Sequence, residues 1–298
     1  MTTAACDLIV VTGKGGVGKT TVAAALGLAQ ADRGRRVLIA EVAARTDVAR
    51  AFGQRDGTGR PRTVAAGVDQ LSIDPGRALE AYLRQQLPRM VAEVLARSRV
   101  FQPLTAAAPG LAELLSIGQA WDLTSAGHRR AYDVVILDAP AGGHGLALLG
   151  APRTYARVAR GGPIRRQAAA IDAMLRDRAR TAIVAVATPE TLAVNETVAI
   201  RAALEGELAM RLDAIVVNRL LPPPLRAADA AALREAPADP AITSALWLDV
   251  AARTQREELA RLRRACGGVP VATLPRRFVD DLDDAALRDF AQRLRAAP

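Results

Sequence analysis

The residues of this chain that are best suited to chemistry lie in one glycine-rich run near its start. Gly13, Gly18, Lys19 and Thr20 stand at the spacing GxxxxGK(S/T), which is typical of a phosphate-binding loop. Glycines let the backbone turn its N–H groups around an anion, the lysine ammonium can reach the β- and γ-phosphates, and the threonine hydroxyl can ligate Mg²⁺. The run therefore predicts a site for a nucleotide and Mg²⁺. Its candidate residues are Gly13, Lys14, Gly15, Gly16, Val17, Gly18, Lys19, Thr20 and Thr21.

The segments on both sides of this loop support the prediction. Residues 8–11 form a short, continuous apolar run, as expected of a buried parallel strand. Residues 21–30 then read as a helix built mainly on alanine and leucine. A strand, a glycine-rich turn and a helix N-terminus are the context that the loop needs, because the helix N-terminus adds partial positive charge where phosphates would lie.

Lysine occurs only in this loop. Lys14 and Lys19 are the only lysines among the 40 lysine and arginine residues of the chain. A compact ammonium fits a tight phosphate cradle more easily than a wide, planar guanidinium does. Both lysines are therefore candidate catalytic residues; the alternative for Lys14 is an ordinary solvated loop residue.

A second run carries the remaining catalytic candidate. The apolar residues 134–137 are followed by Asp138, at the predicted carboxyl end of a strand. A carboxylate in this place is expected to hold Mg²⁺ directly or through water, so the predicted metal ligands are Thr20 and Asp138. The glycine-rich turn that follows could bring a backbone N–H, that of Gly143, to a γ-phosphate.

The rest of the chain supplies the elements that position these residues. Short apolar runs alternate with helical segments, which predicts an α/β fold: a doubly wound, mostly parallel sheet with helices on both faces, as in P-loop NTPases. We expect one domain, 1–298, with a helical insertion at about 75–128 and an arginine-rich helical segment at about 150–180. Residues 54–67, rich in Gly, Arg and Thr, are predicted to be an exposed connection.

The charge and the cysteine content of the chain limit the kinds of partner and metal site that we expect. The 298 residues carry a net charge of +9, which favours anionic partners. The arginine-rich segment has almost no interleaved aromatic residues, so contact with nucleic acid is unlikely there, and a solvated or partner-facing surface is favoured. The two cysteines, Cys6 and Cys266, are far apart in sequence, and neither a zinc site nor a metalloid site is expected. Nothing resembles a signal peptide or a bilayer-spanning run, so a cytoplasmic location is expected.

Several motifs resemble one family. The loop resembles the deviant Walker A loop with a signature lysine. The run DAPAGGHGLALL, from Asp138 to Leu149, resembles the second switch of the arsenical pump-driving and tail-anchored-protein targeting ATPases. The runs PETL, which begins at Pro189, and VVNR, which contains Asn218, resemble the post-switch helix and the adenine-recognition turn of the same anion-transporting ATPases.

This resemblance implies an ATP hydrolase that binds ATP and Mg²⁺ at a dimer interface and acts on an unknown protein client. The dimer would be a homodimer or a heterodimer with a related ATPase. Lys14 would reach across to the phosphates of the partner subunit, Asn218 would recognise the adenine edge, and His144 would lie in the second switch.

One departure from the family pattern bears on the rate of ATP hydrolysis. The first switch of the family carries an Asp-Pro pair that orients the attacking water, and Ala43 and Ala44 stand at those positions here. The apolar residues 37–40 predict a strand, and residues 41–52 are predicted to form a loop and a short helix after it. Glu41 and Asp47 are the carboxylates in this segment; Glu41 could swing in, whereas Asp47 is expected to cap the helix. Slow intrinsic turnover is therefore expected.

Two alternatives stay open. The first is a weakly hydrolysing regulatory subunit of a heterodimeric ATPase. The second is a partition-type ATPase acting on DNA or membrane, which the acidic run 280–284 does not favour.

Overall fold

The fold is built on one twisted sheet. The computed structural model describes residues 6–42, 46–54, 59–86, 108–124, 131–279 and 282–296. Within them the strands lie in the order β3-β4-β2-β5-β1-β6-β7-β8, and all neighbours pair in parallel except β3 with β4. The strands are β1 (Leu8–Gly13), β2 (Val37–Val42), β3 (Arg62–Ala65), β4 (Val68–Ile73), β5 (Val134–Asp138), β6 (Thr181–Ala187), β7 (Ala214–Leu220) and β8 (Val271–Pro275). The predicted mostly parallel α/β sheet is confirmed.

Helices cover both faces of the sheet, which is why its central strands are apolar on both sides. In β1, Leu8 and Val10 pack on one layer, whereas Ile9 and Val11 pack on the other. The layer against Ile9 and Val11 contains α1 (Lys19–Ala31), α2 (Asp47–Ala51) and α10 (Asp284–Ala296). The opposite layer contains α4 (Leu111–Leu123), α5 (Gly143–Val158), α6 (Gly162–Arg176), α7 (Thr191–Ala203) and α9 (Pro240–Ala265). The remaining described helices are α3 (Pro75–Gln86), which packs on α4, α8 (Ala227–Glu235) and the π-helical turn Leu204–Leu208.

One strand was not predicted. Residues 54–67 were expected to be an exposed connection, but β3 lies within them and pairs antiparallel with β4. The turn between the two strands contains Gly67, whose φ is +74°. The strand forms at the sheet edge, where Thr63 donates a hydrogen bond of 2.7 Å to Asp69 on β4. Two of its four residues, Arg62 and Thr63, are polar and only Val64 is buried, so its sequence carries no apolar run to reveal it.

The bounds of other elements differ modestly from prediction. β2 continues through Glu41 to Val42, so Glu41 belongs to the strand and not to the loop that follows. β7 also continues beyond its apolar run, which ends at Val217, through Asn218 to Leu220. Helices α3 and α4 lie in the predicted insertion, and the end of α5 with α6 forms the arginine-rich segment. The single-domain division itself stays a prediction.

Parallel pairing has a direct consequence for the candidate residues. The carboxyl ends of β1, β2 and β5 lie at one edge of the sheet, in neighbouring positions. The glycine-rich loop, Glu41 and Asp138 follow or occupy these ends, so the topology brings them together even though long stretches of chain separate them.

Candidate functional site

The glycine-rich loop runs from the end of β1 to the start of α1. Gly13 has φ +138°, and a Cβ there would overlap the carbonyl oxygen of Val186 on β6. Gly18 is the N-cap of α1 with φ +93°, and its carbonyl accepts the first helical hydrogen bond, 3.0 Å long, from Val22 N. Both positions require glycine for these reasons. The loop therefore lies against the sheet and ends at a helix N-terminus, which is a place for an anion.

The two lysines of the loop take different positions. Lys19 is 7% exposed, and its Nζ donates a hydrogen bond of 3.0 Å to the carbonyl oxygen of Lys14. Its ammonium thus lies back across the loop. Lys14 itself is partly exposed, and its neighbours Gly15 and Gly16 are exposed. Lys14 consequently lies at the rim of the loop, and Lys19 lies inside it.

Thr20 and Asp138 meet at the centre of the site. The Thr20 hydroxyl donates a hydrogen bond of 2.6 Å to Asp138 Oδ2, across a separation of 118 residues. Asp138 is completely buried, at the end of β5 between β1 and β2. A hydroxyl and a carboxylate are hard oxygen donors of the kind that Mg²⁺ prefers, so these residues fit the metal that the sequence predicts.

The turn after β5 is anchored on the loop. Gly142 N donates a hydrogen bond of 3.2 Å to the carbonyl oxygen of Gly13, and Ala139 N donates one of 3.0 Å to that of Val11. Gly143 is the exposed first residue of α5, and His144 beside it is also exposed. The N-termini of α1 and α5 therefore open at the same edge of the sheet, which concentrates partial positive charge there.

The family that the motifs resemble commonly has threonine at the position of Gly142, and the structure gives a reason for the glycine here. Its φ is +56°, and a Cβ there would come within 2.9 Å of Glu196 Oε1 on α7. A larger residue would thus be strained and would displace the carboxylate behind the turn.

The first-switch region shows a role for Glu41 that sequence reasoning missed. Glu41 is completely buried, and its Oε1 accepts a hydrogen bond of 3.0 Å from Val48 N in the first turn of α2. Its Oε2 accepts one of 2.9 Å from Gln70 Nε2 on β4. Burial raises the pKa of Glu41, and the nearby Asp138 and Asp47 act in the same direction. In this structure Glu41 holds α2 against the sheet instead of facing the space above the loop.

Asp47 was predicted to cap this helix. It is instead the first residue of α2, after the N-cap residue Thr46, and it lies 3.4 Å from the guanidinium of Arg50. Ala43 and Ala44, the positions of the missing Asp-Pro pair, lie outside the described residues.

Asn218 contacts the glycine-rich loop directly. The strand β7 has an irregular register between Val217 and Leu220, and within it Arg219 adopts φ +60°. This irregularity directs the Asn218 side chain at the loop, where Nδ2 donates a hydrogen bond of 3.0 Å to the carbonyl oxygen of Val17. Its Oδ1 accepts one of 2.9 Å from Arg219 N. Both ends of the amide are therefore engaged within the protein.

A cavity of about 680 Å³ lies beside the first turn of α1. It is bordered by Thr20, Thr21 and Asn218, and its volume lies in the usual range for small-molecule sites. Its far wall was not predicted, because it comes from distant segments: Asp47, Arg50, Gln54, Arg219, Pro275, Arg277 and Phe290. Arg277 is held there by Asp289, at 2.6 Å, and by the Phe290 ring. The three arginines suit an anionic ligand.

Comparison with known proteins places this geometry in a family. The sequence profile that describes anion-transporting ATPases matches residues 6–161 and 163–236. The chain belongs to the anion-transporting ATPase family. The family resemblance that the motifs indicated is thereby confirmed, and the assignment as an ATPase holds at the level of the family.

Relatives of this anion-transporting ATPase include proteins with more specific names. ATPase BagA of Mycobacterium tuberculosis is 31% identical over 241 residues, which cover 78% of this chain and 70% of that protein. An arsenical pump-driving ATPase of Acidiphilium multivorum is 27% identical over 319 residues, which cover 96% of this chain and 49% of that protein. This family member thus spans about half the length of the second relative.

Two kinds of feature are absent from the described residues of this anion-transporting ATPase. No helix among them is both long and apolar enough to cross a bilayer. No cluster of three or more His, Cys, Asp or Glu side chains among them is arranged to hold a metal ion. The expectation that the protein lacks zinc and metalloid sites stays a prediction.

Proposed function

We propose that this chain hydrolyses ATP in the presence of Mg²⁺ and uses the cycle to change its contacts with a second subunit and with a protein client. The observation that carries the proposal is the contact between Thr20 and Asp138, 2.6 Å long, beside a loop that ends at a helix N-terminus. The two residues are far apart in sequence, so their contact supports one shared site for metal and phosphate.

Each residue of the site has a distinct part in this proposal. The loop amides and the N-terminus of α1 bind the phosphates, and Lys19 neutralises charge on the β- and γ-phosphates. Thr20 and Asp138 hold Mg²⁺, which supplies charge stabilisation for phosphoryl transfer when bound. The Gly143 N–H, exposed at the start of α5, donates to the transferred phosphate. Asn218 and the wall with Arg277 bound the space for the nucleoside.

Intrinsic turnover should be slow, because phosphoryl transfer also needs an oriented water. Neither Ala43 nor Ala44 has a polar side-chain atom to orient one. Glu41 is buried and both of its carboxylate oxygens accept hydrogen bonds from α2 and β4, which leaves it poorly placed to replace the missing aspartate. This same observation favours a second candidate: a nucleotide-binding subunit that hydrolyses little by itself and acts in a heterodimer with a related ATPase.

Phosphate release from Mg²⁺-ATP tests the proposal. The unmodified protein should show slow but measurable release, and Asp138→Asn should reduce it strongly. Ala43→Asp should raise it, because that variant returns a carboxylate to the family position; Ala43→Asn is the matched control without the charge. Brisk turnover of the unmodified protein would refute the account of the first switch. Release that Asp138→Asn leaves unchanged would refute the metal site.

The dimer in this proposal depends on Lys14. Its side chain lies at the rim of the loop beside two exposed glycines, where a second subunit could approach the phosphates. We place Lys14 at that interface, reaching the nucleotide of the partner subunit.

A further inference from the structure

A helical hairpin far from the loop carries an unusual group of arginines. Helix α5 ends at Val158 and α6 begins at Gly162, so a short turn joins them. Four arginine side chains at this turn are exposed, and we call them the arginine tip: Arg157, Arg160, Arg165 and Arg166. Arg153, one turn earlier on α5, is distinct, since it donates a hydrogen bond to the carbonyl oxygen of Glu207.

The arginine tip lacks the carboxylates that accompany many of the arginines elsewhere in the fold. The sequence contains no Asp or Glu between residues 139 and 171. Among the described residues, no carboxylate lies within ion-pair distance of any of the four side chains. Elsewhere in the fold, including the far end of α6, many arginines instead pair with a carboxylate one turn away, as in Arg84–Glu80, Arg176–Asp172, Arg201–Glu205, Arg226–Asp229, Arg253–Asp249, Arg261–Glu258, Arg288–Asp284 and Arg293–Asp289.

Stability of the fold does not account for these charges. Arg165 and Arg166 lie at the N-terminal end of α6, and the first turn of this helix contains no acidic residue. The positive end of the helix dipole lies at the same place, so it opposes positive side chains there and strengthens the local positive potential. This concentration of positive charge would suit an anionic partner.

Two exposed apolar side chains accompany the charges. Val158, on one side of the turn, is 74% exposed; Ile164, on the other side, is 40% exposed and also lines a cavity between α3, α4 and α6. Apolar side chains surrounded by arginines match a surface that binds anionic lipid, because the cations attract the headgroups and the apolar side chains enter the boundary of the acyl region. Nucleic acid is less suited, since the nearby Tyr155 ring is part-buried and its hydroxyl donates to the Pro109 carbonyl.

We propose that the arginine tip docks on an anionic lipid bilayer, with its arginines on lipid phosphates and with Val158 and Ile164 in the headgroup region. The tip lies at the opposite end of α5 from Gly143. A helix of these 16 residues is about 24 Å long. Docking therefore leaves the nucleotide site accessible, and its test needs no nucleotide.

Co-sedimentation with vesicles measures this docking. The protein should bind vesicles of equal parts phosphatidylglycerol and phosphatidylcholine, bind vesicles of phosphatidylcholine alone far more weakly, and dissociate at high salt. Each arginine near an anionic surface is worth about 1 kcal/mol, or roughly fivefold in affinity. Arg165→Gln with Arg166→Gln should accordingly weaken binding about 25-fold.

Matched control variants distinguish binding through the arginine tip from an effect of the protein's net positive charge. Arg263→Gln with Arg264→Gln removes the same charge from exposed positions at the end of α9 and should leave vesicle binding nearly unchanged. Val158→Ser should weaken binding several-fold, whereas Val250→Ser, at an exposed valine of α9, should not. Circular dichroism melting verifies that each variant folds like the unmodified protein.

Three outcomes would overturn the proposal. One is failure of the unmodified protein to bind the anionic vesicles. Another is an equal loss in the α9 controls, which would reduce the effect to net charge. The third is a tip variant that loses binding to a DNA or RNA duplex while its vesicle binding stays intact, which would make the tip a nucleic-acid surface. None of these outcomes concerns ATP binding, which the tip variants should leave unchanged.

Discussion

Replacing Glu41 by alanine should destabilise this protein more than a typical surface change. The variant removes the acceptor of two buried hydrogen bonds, from Val48 N at 3.0 Å and from Gln70 Nε2 at 2.9 Å. A buried donor left without an acceptor costs about 1–3 kcal/mol, so the two together predict a loss of about 2–6 kcal/mol. Glu41→Gln keeps an acceptor for Val48 N, and the Gln70 amide can turn to present its oxygen, so this variant should lose about 1 kcal/mol or less.

Urea unfolding without nucleotide or Mg²⁺ measures both values. Glu235→Gln, at an exposed carboxylate at the end of α8, is the control for losing a negative charge and should be nearly neutral. If Glu41→Ala costs no more than this control, or if Glu41→Gln costs as much as Glu41→Ala, then the carboxylate does not hold α2 as described.

The difference in the free energy of unfolding between the unmodified protein and Glu41→Gln should depend on pH. Burial raises the pKa of Glu41 above its ordinary value of 4.5. The native state then binds this proton more tightly than the unfolded chain does, so the associated stability is fully present below pH 4.5 and is lost as pH rises through the folded-state pKa. The free energy of unfolding of the unmodified protein, relative to Glu41→Gln, should therefore decrease as the pH rises above 4.5. A difference that stays constant or increases would contradict the raised pKa.

Three further variants test the site. Asn218→Ala should weaken the binding of ATP and of inorganic tripolyphosphate by a similar factor, because it removes the hydrogen bond to Val17 that supports the loop. One lost hydrogen bond of about 1 kcal/mol corresponds to a roughly fivefold loss of affinity, which calorimetric titration can measure. Weaker binding of ATP alone would mean that Asn218 contacts only the base. Lys14→Ala should still bind nucleotide but should no longer dimerise with a non-hydrolysable ATP analogue, as measured by light scattering. Unaltered dimerisation would mean that Lys14 is an ordinary loop residue. Gly142→Thr should lower the melting temperature despite matching the family, because of its φ of +56° and the nearby Glu196 carboxylate; Glu196→Ala should relieve part of that loss, and a stable single variant would contradict the reasoning.

Those parts of the site that depend on local sequence could be predicted. The loop from Gly13 to Thr21 has a fixed spacing, and its strand and helix follow directly from apolar runs on each side. Asp138 was found in the same way, because it ends a strand that is buried on both faces. The alternation of such strands with helices also sufficed for the parallel sheet and its two helical layers.

Features that depend on contacts across the fold could not be predicted. Asn218 lies 201 residues from Val17 in sequence, and only the irregular register of β7 brings its amide to the loop. Glu41 looked like a loop residue because the apolar run before it ends at Ala40, yet the strand continues and buries it. The wall with Pro275 and Phe290 comes from the last strand and helix, and no spacing in the sequence relates them to the loop.

Calorimetric titration of Mg²⁺-ATP into the unmodified protein and into Lys19→Ala tests the central claim, that the loop and the Thr20–Asp138 pair form a nucleotide site. The unmodified protein should bind one nucleotide per chain. Charge-assisted hydrogen bonds contribute about 1.5–3 kcal/mol each, so loss of the Lys19 ammonium should weaken binding on the order of a hundredfold. Absence of binding to the unmodified protein, or equal affinity in Lys19→Ala, would contradict the claim.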